Sequence, residues 1–574
     1  MKLTLIGTGY VGLVTGTCFA EAGHHVICVD KDADKIALLK AGGMPIYEPG
    51  LEELVCKNTA AGRLHFTSST REGVECSEVI FIAVPTPAQP DGSVDLSFIE
   101  AVSREIAGAM TGYRINVDKS TVPVKTGEKV AETIKRYGKA GLEFDGVSNP
   151  EFLREGFAVG DFMKPDRVVV GVSSRRPVAA MQEIYAPYQA PVIVTDISSA
   201  ELIKHAANSF LALKISYINA ISVLCELSGG NVQEVAQGMG MDTRIGRKFL
   251  DASLGFGGSC FPKDLSAFIH ISEALGYDFG LLKEVQRINA LQMDRFVKKI
   301  SETLWVVKGK TLGILGLAFK QNTDDIRMSP AIELCLRLQK EGAALRVHDP
   351  QAMEKAGTVL KNVTYVDDMD EVAAGCDALV IATEWPAFKK LDLERARKNL
   401  SHPIIFDGRN LFDPAEMERL GFLYKSIGRK RGQGAMSSSF TAENPLEVAA
   451  GLVFRDGKLL ITRRAAGGHL AGLWEYPGGK REPGETFEQC LHRELLEELG
   501  IEVQIVALLE EIVHHYPEHS IRLQFFHCRW LRHEPRPILC ESLAWITCGQ
   551  LSQYAFPAAD TRLLDKLRHA PELW

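Results

Sequence analysis

Residues Gly7-Thr8-Gly9-Tyr10-Val11-Gly12 constrain what this chain can fold into more than any other stretch. They end a short apolar run from Lys2 that reads as a buried strand, and they lead into a helical pattern from about Leu13 to Ala22. Glycines at these positions allow a tight turn and let the backbone approach a pyrophosphate, which the helix N-terminus then stabilises. A second strand, His25 to Val29, ends in Asp30, close to the spacing of about 20 residues at which an acid holds a ribose 2′-hydroxyl. One glycine motif alone can be an ordinary turn. Strand, turn, helix and acid together predict a dinucleotide site, and because a carboxylate repels a 2′-phosphate the expected cofactor is NAD rather than NADP.

Further strands read at Val79 to Val84, ending in Pro85-Thr86-Pro87, and at Asn116 to Lys119, leading into Ser120-Thr121-Val122-Pro123. Asn149 to Gly156 carries Glu151 and Glu155, four apart and on one face if the segment is helical. From Ser199 to about Ser228 apolar residues keep helical spacing with no Pro and no Gly, a run longer than one domain needs. This predicts a central helix that joins two halves and contributes to a dimer interface. Lys204 and Asn208 share one face of it. Such a lysine usually snorkels to solvent, whereas one pointing inward would stabilise an alkoxide with Asn208 donating a hydrogen bond. Lys310 to Leu315, then Gly316-Leu317-Ala318 and a helix after Pro330, then strands at Ala344 to Val347, Ala378 to Thr383 and Ile404 to Asp407, predict a second doubly wound unit.

Between these halves lies Gly255-Phe256-Gly257-Gly258-Ser259-Cys260-Phe261-Pro262-Lys263-Asp264. Glycines let a backbone take up positive φ and approach a ligand. A lysine near a thiol is expected to lower its pKa and make Cys260 a nucleophile. An inert cysteine in a turn is the commoner reading of a lone Cys. Here two nucleotide-type units flank it.

Residues 1 to about 428 resemble the UDP-glucose 6-dehydrogenase family, whose nucleophile lies in a G-x-G-G-x-C-x-x-K-D segment. The resemblance implies oxidation of a nucleotide sugar's C6 alcohol to an acid by two NAD, through a thiohemiacetal and a thioester on Cys260. It implies that Lys204 and Asn208 stabilise oxyanions, that Asp264 and Thr121 hold a water, and that Glu151 is the general base. It places NAD on Gly7, Gly9, Tyr10, Val11, Gly12, Asp30, Lys35, Thr86, Thr121, Glu155, Lys263 and Arg327. It places the sugar nucleotide on Glu151, Phe152, Leu153, Arg154, Glu155, Lys204, Asn208, Phe249, Leu250, Asp251, Ala252, Ser253, Gly257, Lys320 and Arg409, with Arg244 reaching a neighbouring subunit's site. Relatives acting on N-acetylated sugars read G-H-C-I at the cysteine. Gly258-Ser259-Cys260-Phe261 instead favours UDP-glucose, with GDP-mannose as the rival substrate.

Residues 429–443 are small and polar and read as a flexible tether. Beyond them the pattern changes to short strands, Glu447 to Phe454 and Lys458 to Arg463. Gly479, Glu485, Arg493, Glu494, Glu497, Glu498 and Gly500 then fill every fixed position of the Nudix box, G-x5-E-x7-R-E-U-x-E-E-x-G-U. Glu494, Glu497 and Glu498 fall at i, i+3 and i+4, which clusters oxygen ligands suited to Mg²⁺ on one helix face. Arg493 is placed to hold Glu485. His469 to Gly479 and Phe556 to Asp560 resemble the MutT branch, which cleaves nucleoside triphosphates. Asp560 stands where that branch often has a base-reading Asn, and a carboxylate only accepts, so the base is left open. Glu541 is a further candidate ligand. The competing expectation is a Nudix fold that only binds nucleotide.

Composition adds exclusions. With 65 Lys and Arg against 73 Asp and Glu the formal charge is −8, and no basic stripe suggests nucleic acid or an anionic membrane. No run of about eighteen apolar residues reads as a membrane span. Met1 to Gly7 runs into the glycine fingerprint without a cleavage-type site, so no signal peptide is expected. The 12 cysteines contain no C-x-x-C pair, which points to a reducing cytoplasm and to neither a zinc ribbon nor a disulfide framework. The expected fold is α/β: two Rossmann-like doubly wound domains (1–198 and 301–428) joined by a long central helical domain (199–300), then the tether and a C-terminal α/β/α Nudix domain (444–574) with a mixed sheet. The expected assembly is a homodimer or higher homo-oligomer.

Overall fold

A computed structural model describes residues 1–89, 91–429, 446–463, 474–482, 484–515, 520–554, 556, 561–570 and 574. The chain forms two compact units, Met1–Val297 with Lys308–Gln433, and Lys298–Val307 with Gly434–Trp574.

The first unit holds two sheets. Strands β1 (Lys2–Ile6), β2 (His25–Val29), β3 (Leu64–Thr67), β4 (Val79–Ile82), β5 (Arg114–Asp118), β6 (Phe144–Ser148), β7 (Val168–Val172) and β8 (Val192–Thr195) are ordered β3-β2-β1-β4-β5-β6-β7-β8. All pairs are parallel except β6 with β7. Strands β9 (Thr311–Leu315), β10 (Ala344–His348), β11 (Thr364–Tyr365), β12 (Ala378–Ile381), β13 (Ile404–Asp407) and β14 (Leu423–Ser426) form an all-parallel sheet ordered β11-β10-β9-β12-β13-β14. Parallel strands covered on both faces are continuously apolar rather than alternating. Accordingly β4 (VIFI) and β12 (ALVI) are buried at every position.

Register places the functional edge. Ile6 lies opposite Val29 and Ile82, so the chain leaves β1, β2 and β4 at one level, beside the point where strand order reverses. Leu315 lies opposite His348 and Ile381 in the second sheet, which repeats the arrangement. One face of the first sheet packs Leu3, Leu5 and Phe81 against Leu13, Val14 and Phe19 of the fingerprint helix Tyr10–Glu21.

The central helix spans Ile197–Ser228, two residues earlier than the sequence pattern suggested. Asp196 caps it by accepting from Ser199 N at 2.8 Å, and Gly229 ends it at φ +81°. In length and apolar composition it matches a membrane-crossing helix, a feature the sequence reading did not anticipate. Its buried face, however, carries Glu201, Lys204, His205 and Asn208, all bonded within the unit.

The second unit holds β15 (Leu446–Arg455), β16 (Lys458–Arg463), β17 (Trp474–Glu475), β18 (Gly478–Lys480), β19 (Glu502–His515), β20 (Ser520–Arg532) and β21 (Ser542–Ile546) in one mixed sheet. β15 and β20 pair in parallel and the other pairs are antiparallel. The helix Phe487–Leu499 covers one face through Cys490, Leu491, Leu495 and Leu499. The helix Thr561–His569 buries Leu563 and Leu567 in a second apolar cluster.

Gly12 lies inside the fingerprint helix, and a Cβ there would collide with the Gly7 carbonyl. Gly12→Ala is expected to cost about 1–3 kcal/mol through overpacking. Gly108, in the helix Ser97–Ala109, has nothing within 4 Å of the corresponding position. Gly108→Ala is therefore expected to be neutral or to stabilise by up to about 1 kcal/mol. Denaturant unfolding of both variants checks the contrast.

Candidate functional sites

At the edge shared by β1, β2 and β4, Gly7 takes φ +104° and packs on Ala83, while the space beyond Gly9 is open for 4 Å. Asp30 lies beside this turn, its Oδ2 accepting from Thr8 N (2.9 Å), Thr8 Oγ1 (2.7 Å) and Lys35 Nζ (3.0 Å). Burial opposes ionisation, but these bonds hold the Asp30 carboxyl below its ordinary range. A glycine cradle at a helix N-terminus, with an ionised acid on the next strand, fits a dinucleotide pyrophosphate and ribose.

The second doubly wound unit treats its turn differently. Asp349, at the end of β10, accepts from Leu317 N (2.7 Å), Ala318 N (3.0 Å) and the buried Trp385 Nε1 (3.0 Å). The turn's amides and the space beside it are thus filled from within.

Glu151 and Glu155 lie in the stretch after β6, and that stretch is not helical, contrary to the expectation of one shared face. The two carboxylates diverge. Glu151 Oε1 accepts from Lys204 Nζ at 2.8 Å and its Oε2 from Leu153 N at 2.5 Å. Lys204 is almost wholly buried. Desolvation works against its charge, but Glu151, Asp264 and Cys260 hold its pKa above the ordinary lysine value. Four residues along the helix, Asn208 Nδ2 donates to Asp264 Oδ2 at 2.6 Å. Asp264 pairs with Lys263 at 2.9 Å, and although burial raises its pKa, Lys263, Lys204 and His205 bring it below the ordinary value. Lys263 Nζ also donates to Thr86 Oγ1 at 3.3 Å, and Thr86 Oγ1 donates to the Thr121 carbonyl at 3.0 Å. Cys260 precedes the helix Phe261–Ala274 that carries Lys263 and Asp264.

The charge state of the thiol reverses the expectation from sequence. Cys260 is pushed up to about 11, by burial first and then by the charges of Glu151, Asp264 and Glu155; Lys204 only partly offsets them. Lys204 is outnumbered by three carboxylates, two of which, Glu151 and Glu155, come from a distant part of the sequence. At neutral pH the sulfur therefore carries its proton.

The other predicted residues divide into groups. Phe152 lies under Arg167 (3.6 Å) and Lys204 (5.5 Å), and Arg154 pairs with Asp161 at 2.6 Å. Glu155 accepts from Ser259 and lies 3.7 Å from Arg327, whose guanidinium also holds Asp325. Lys320 is half-buried and senses Glu155 and Cys260. Gly257 packs against Met328 and Pro330. Leu250, Ala252 and Ser253 are buried, whereas Asp251 is exposed and pairs with Arg247; Phe249 takes φ +66°. Arg244 is exposed and holds Asp242. Arg409 donates to the Ala382 and Phe319 carbonyls at 2.8 and 3.0 Å, tying two loops together.

Sequence reading missed Glu48. This buried carboxylate accepts from Gly156 N (2.6 Å), Ala158 N (2.7 Å) and the Tyr10 hydroxyl, and so fastens the Glu151–Glu155 stretch to the fingerprint helix. It missed Lys119 as well, whose buried ammonium donates to Asn149 Oδ1 at 3.0 Å, beside Pro150 and Glu151. Burial brings Lys119 down to about 7. Glu48 sits in a plain Glu-Pro-Gly turn that signals nothing locally.

In the second unit Arg493 is the hub. Its Nε donates to Glu485 Oε1 (2.7 Å), and its Nη1 donates to Glu494 Oε1 (2.9 Å) and Glu497 Oε2 (3.2 Å). A Cβ on Gly479 would collide with the Glu494 carboxyl. Among the described residues no three acidic, His or Cys side chains converge closely enough to enclose a metal ion. The donor chemistry, all carboxylate oxygen, suits a hard divalent cation; taking up both Glu494 and Glu497 would mean displacing Arg493 Nη1. Glu541 instead pairs with Arg463 at 3.3 Å. Asp560 and residues 469–473 lie outside the described residues.

Asp264→Asn removes one charge from the buried network and is expected to cost about 3–5 kcal/mol at pH 7. The folded pKa of Asp264 lies below its ordinary 3.8, so its contribution is present above that value and fades as pH falls through the lowered one. Urea titrations of wild type and variant should diverge at pH 7 and converge towards pH 3.

Three models of the UDP-glucose/GDP-mannose dehydrogenase family match the chain: the NAD binding domain (residues 1–189), the central domain (198–291) and the UDP binding domain (313–414). A NUDIX domain model matches 449–566. The chain is 46% identical over 451 residues to the UDP-glucose 6-dehydrogenase TuaD of Bacillus subtilis, covering 78% of this chain and 98% of that one. It is 46% identical over 436 residues to a UDP-glucose 6-dehydrogenase of Rhizobium meliloti, covering 75% and 100%. The solved UDP-glucose dehydrogenase of Pyrobaculum islandicum matches with TM-score 0.70 and 41% identity over 75% of this chain and 98% of that one. The chain therefore belongs to the UDP-glucose/GDP-mannose dehydrogenase family and carries a NUDIX domain behind its dehydrogenase part.

Proposed function

We propose that the dehydrogenase part oxidises UDP-glucose to UDP-glucuronate with two equivalents of NAD through a thioester on Cys260. One observation carries this reading: a thiol, a buried Lys–Glu pair and an Asn–Asp–Lys network share a single charge environment. When bound, NAD supplies the hydride acceptor for each of the two oxidations of C6. Gly7, Gly9, Tyr10, Val11, Gly12 and Asp30 would hold it, with Thr86, Lys263 and Arg327 towards its reactive end. The Cys260 sulfur adds to the C6 aldehyde, and Lys204 Nζ with Asn208 Nδ2 stabilises the alkoxide that forms. Oxidation leaves a thioester. Asp264 and Thr121 position a water, and Glu151 takes its proton as that water cleaves the thioester. UDP-glucose is favoured over N-acetylated sugar nucleotides by Gly258-Ser259-Cys260-Phe261, and over GDP-mannose by the relatives at 46% identity.

The domain assignment follows: 1–198 for NAD, 199–300 for the central helix and thiol, 301–428 for the UDP-sugar and 444–574 for the Nudix fold. Leu202, Phe210, Tyr217, Leu224 and Leu227 recur at seven- and eight-residue steps, or one turn, along the central helix and are all exposed, Phe210 at 60% and Leu227 at 80%. A second copy of this chain is the occupant that a continuous apolar stripe on a domain-joining helix calls for. All 12 cysteines are free thiols, which suits a reducing cytoplasm.

For the second unit the complete box and the Arg493 hub support a Mg²⁺-dependent nucleoside triphosphate pyrophosphohydrolase. Glu494, Glu497 and Glu498 would hold the metal, which would supply an activated water and bind substrate phosphates.

With UDP-glucose, NADH absorbance should report two NADH per sugar, and GDP-mannose should give none; the reverse pattern would reassign the substrate. Cys260→Ser should lower kcat by about 10³-fold or more. Mg²⁺-dependent pyrophosphate release from nucleoside triphosphates should disappear in Glu497→Gln; release unchanged by that substitution would rule out the metal role.

A further inference from the structure

We propose that Ser259 carries the proton of the Cys260 thiol to Glu155, and so acts as a positioning residue for the nucleophile. This deepens the thioester reading and rests on it for its purpose.

The geometry is a short chain. Ser259 Oγ donates to Glu155 Oε1 at 3.0 Å, and the same Oγ lies 3.6 Å from Cys260 Sγ, a distance at which a thiol can donate to a hydroxyl. Three carboxylates raise the thiol, and only one is joined to it through a hydroxyl. Glu151 is taken up by Lys204 and Leu153 N, and Asp264 by Asn208 and Lys263. Glu155 also has a cation, Arg327, 3.7 Å from its Oε1, but it alone is joined to the thiol by a hydroxyl. Its carboxyl is faced by Asp325, Arg327 and Lys320, while Cys260 is faced by Glu151, Asp264, Glu155 and Lys204, with Lys320 and Arg327 further off.

Gly258, just before the serine, takes φ +83°, and a Cβ there would lie 2.6 Å from the Phe319 ring, so the turn that presents Ser259 requires glycine. Energetics also require an acceptor. With the thiol at about 11, only about one sulfur in 10⁴ is ionised at pH 7. Burial and the neighbouring charge of Asp325 raise the Glu155 carboxyl above its ordinary range, which makes it a stronger proton acceptor when ionised.

The step balances. The S–H bond breaks and its proton passes to Ser259 Oγ as the serine's own proton moves to Glu155 Oε1. The sulfur keeps the electron pair and bonds to the C6 carbonyl carbon, whose π electrons move onto the oxygen beside Lys204.

The test reads sulfur reactivity without sugar nucleotide or NAD. Iodoacetamide labelling of Cys260, followed by peptide mass spectrometry from pH 5.5 to 9.5, should show in the wild type a step in rate across the range where Glu155 titrates. Ser259→Ala should reduce that step about tenfold, the loss expected for one hydrogen bond to a charged sulfur. Ser259→Thr should restore most of it, and Glu155→Gln should abolish it. Circular dichroism and thermal midpoints confirm that each variant is folded. Wild-type labelling in Ser259→Ala, or labelling in Ser259→Thr as slow as in Ser259→Ala, would overturn the relay. A wild-type protein that labels as expected but does not oxidise UDP-glucose would instead sink the dehydrogenase reading and leave the relay standing.

Discussion

The dehydrogenase part depends on one buried ion pair, Lys204 with Glu151, 2.8 Å apart with side chains 4% and 6% exposed. Taking two charges out of water costs several kcal/mol per ion, and mutual attraction repays this only where further bonds satisfy both groups. Those bonds are present. Glu151 also accepts the Leu153 amide, and Lys204 senses Asp264 and Cys260 and lies over the Phe152 ring. Replacing such a pair by hydrophobic residues of similar volume is often neutral or stabilising. The pair's value is therefore positional: it locks the central helix to the loop after β6, and with it the acid, amide and thiol to one place.

That lock is reinforced from the cofactor side by Glu48, which joins the same loop to Tyr10 of the glycine fingerprint. The two carboxylates thus pin one eight-residue stretch from both directions. This explains how a loop with no secondary structure of its own can hold acid–base groups to within bonding distance. The second doubly wound unit shows what becomes of the same topology when the turn is turned inward. Asp349 Oδ2 accepts from Leu317 N and Ala318 N and also from Trp385 Nε1, so the amides after Gly316 are engaged within the fold.

What the sequence could reveal followed the range of the interactions. Strand, glycine turn and acid lie within thirty residues, and local pattern carried them. The Nudix box is equally local, and Arg493 was placed on Glu485 from spacing alone. The errors came from long-range geometry. Glu151 and Glu155 would share a face only if their segment were helical; the loop sends one to Lys204 and the other to Ser259, 104 residues away. Cys260 was expected to be acidified by its lysine neighbour, but burial, which no motif reports, raises it most, followed by the charges of Glu151, Asp264 and Glu155.

The two units share one electrostatic pattern. In each, carboxylates are held by a cation on the same or an adjacent element: Lys263 beside Asp264, and Arg493 across Glu485, Glu494 and Glu497. Carboxylates this close repel one another, and an unpaired set would take up protons and lose the charge that binds a metal or orients a water. The two cations differ in how they do it. A lysine offers a point charge that can move between partners, whereas a guanidinium fork fixes several oxygens at once. Lys263 accordingly divides its bonds between Asp264 and Thr86. Arg493 holds a rigid array that a doubly charged cation, bringing more charge at shorter range, is suited to break open.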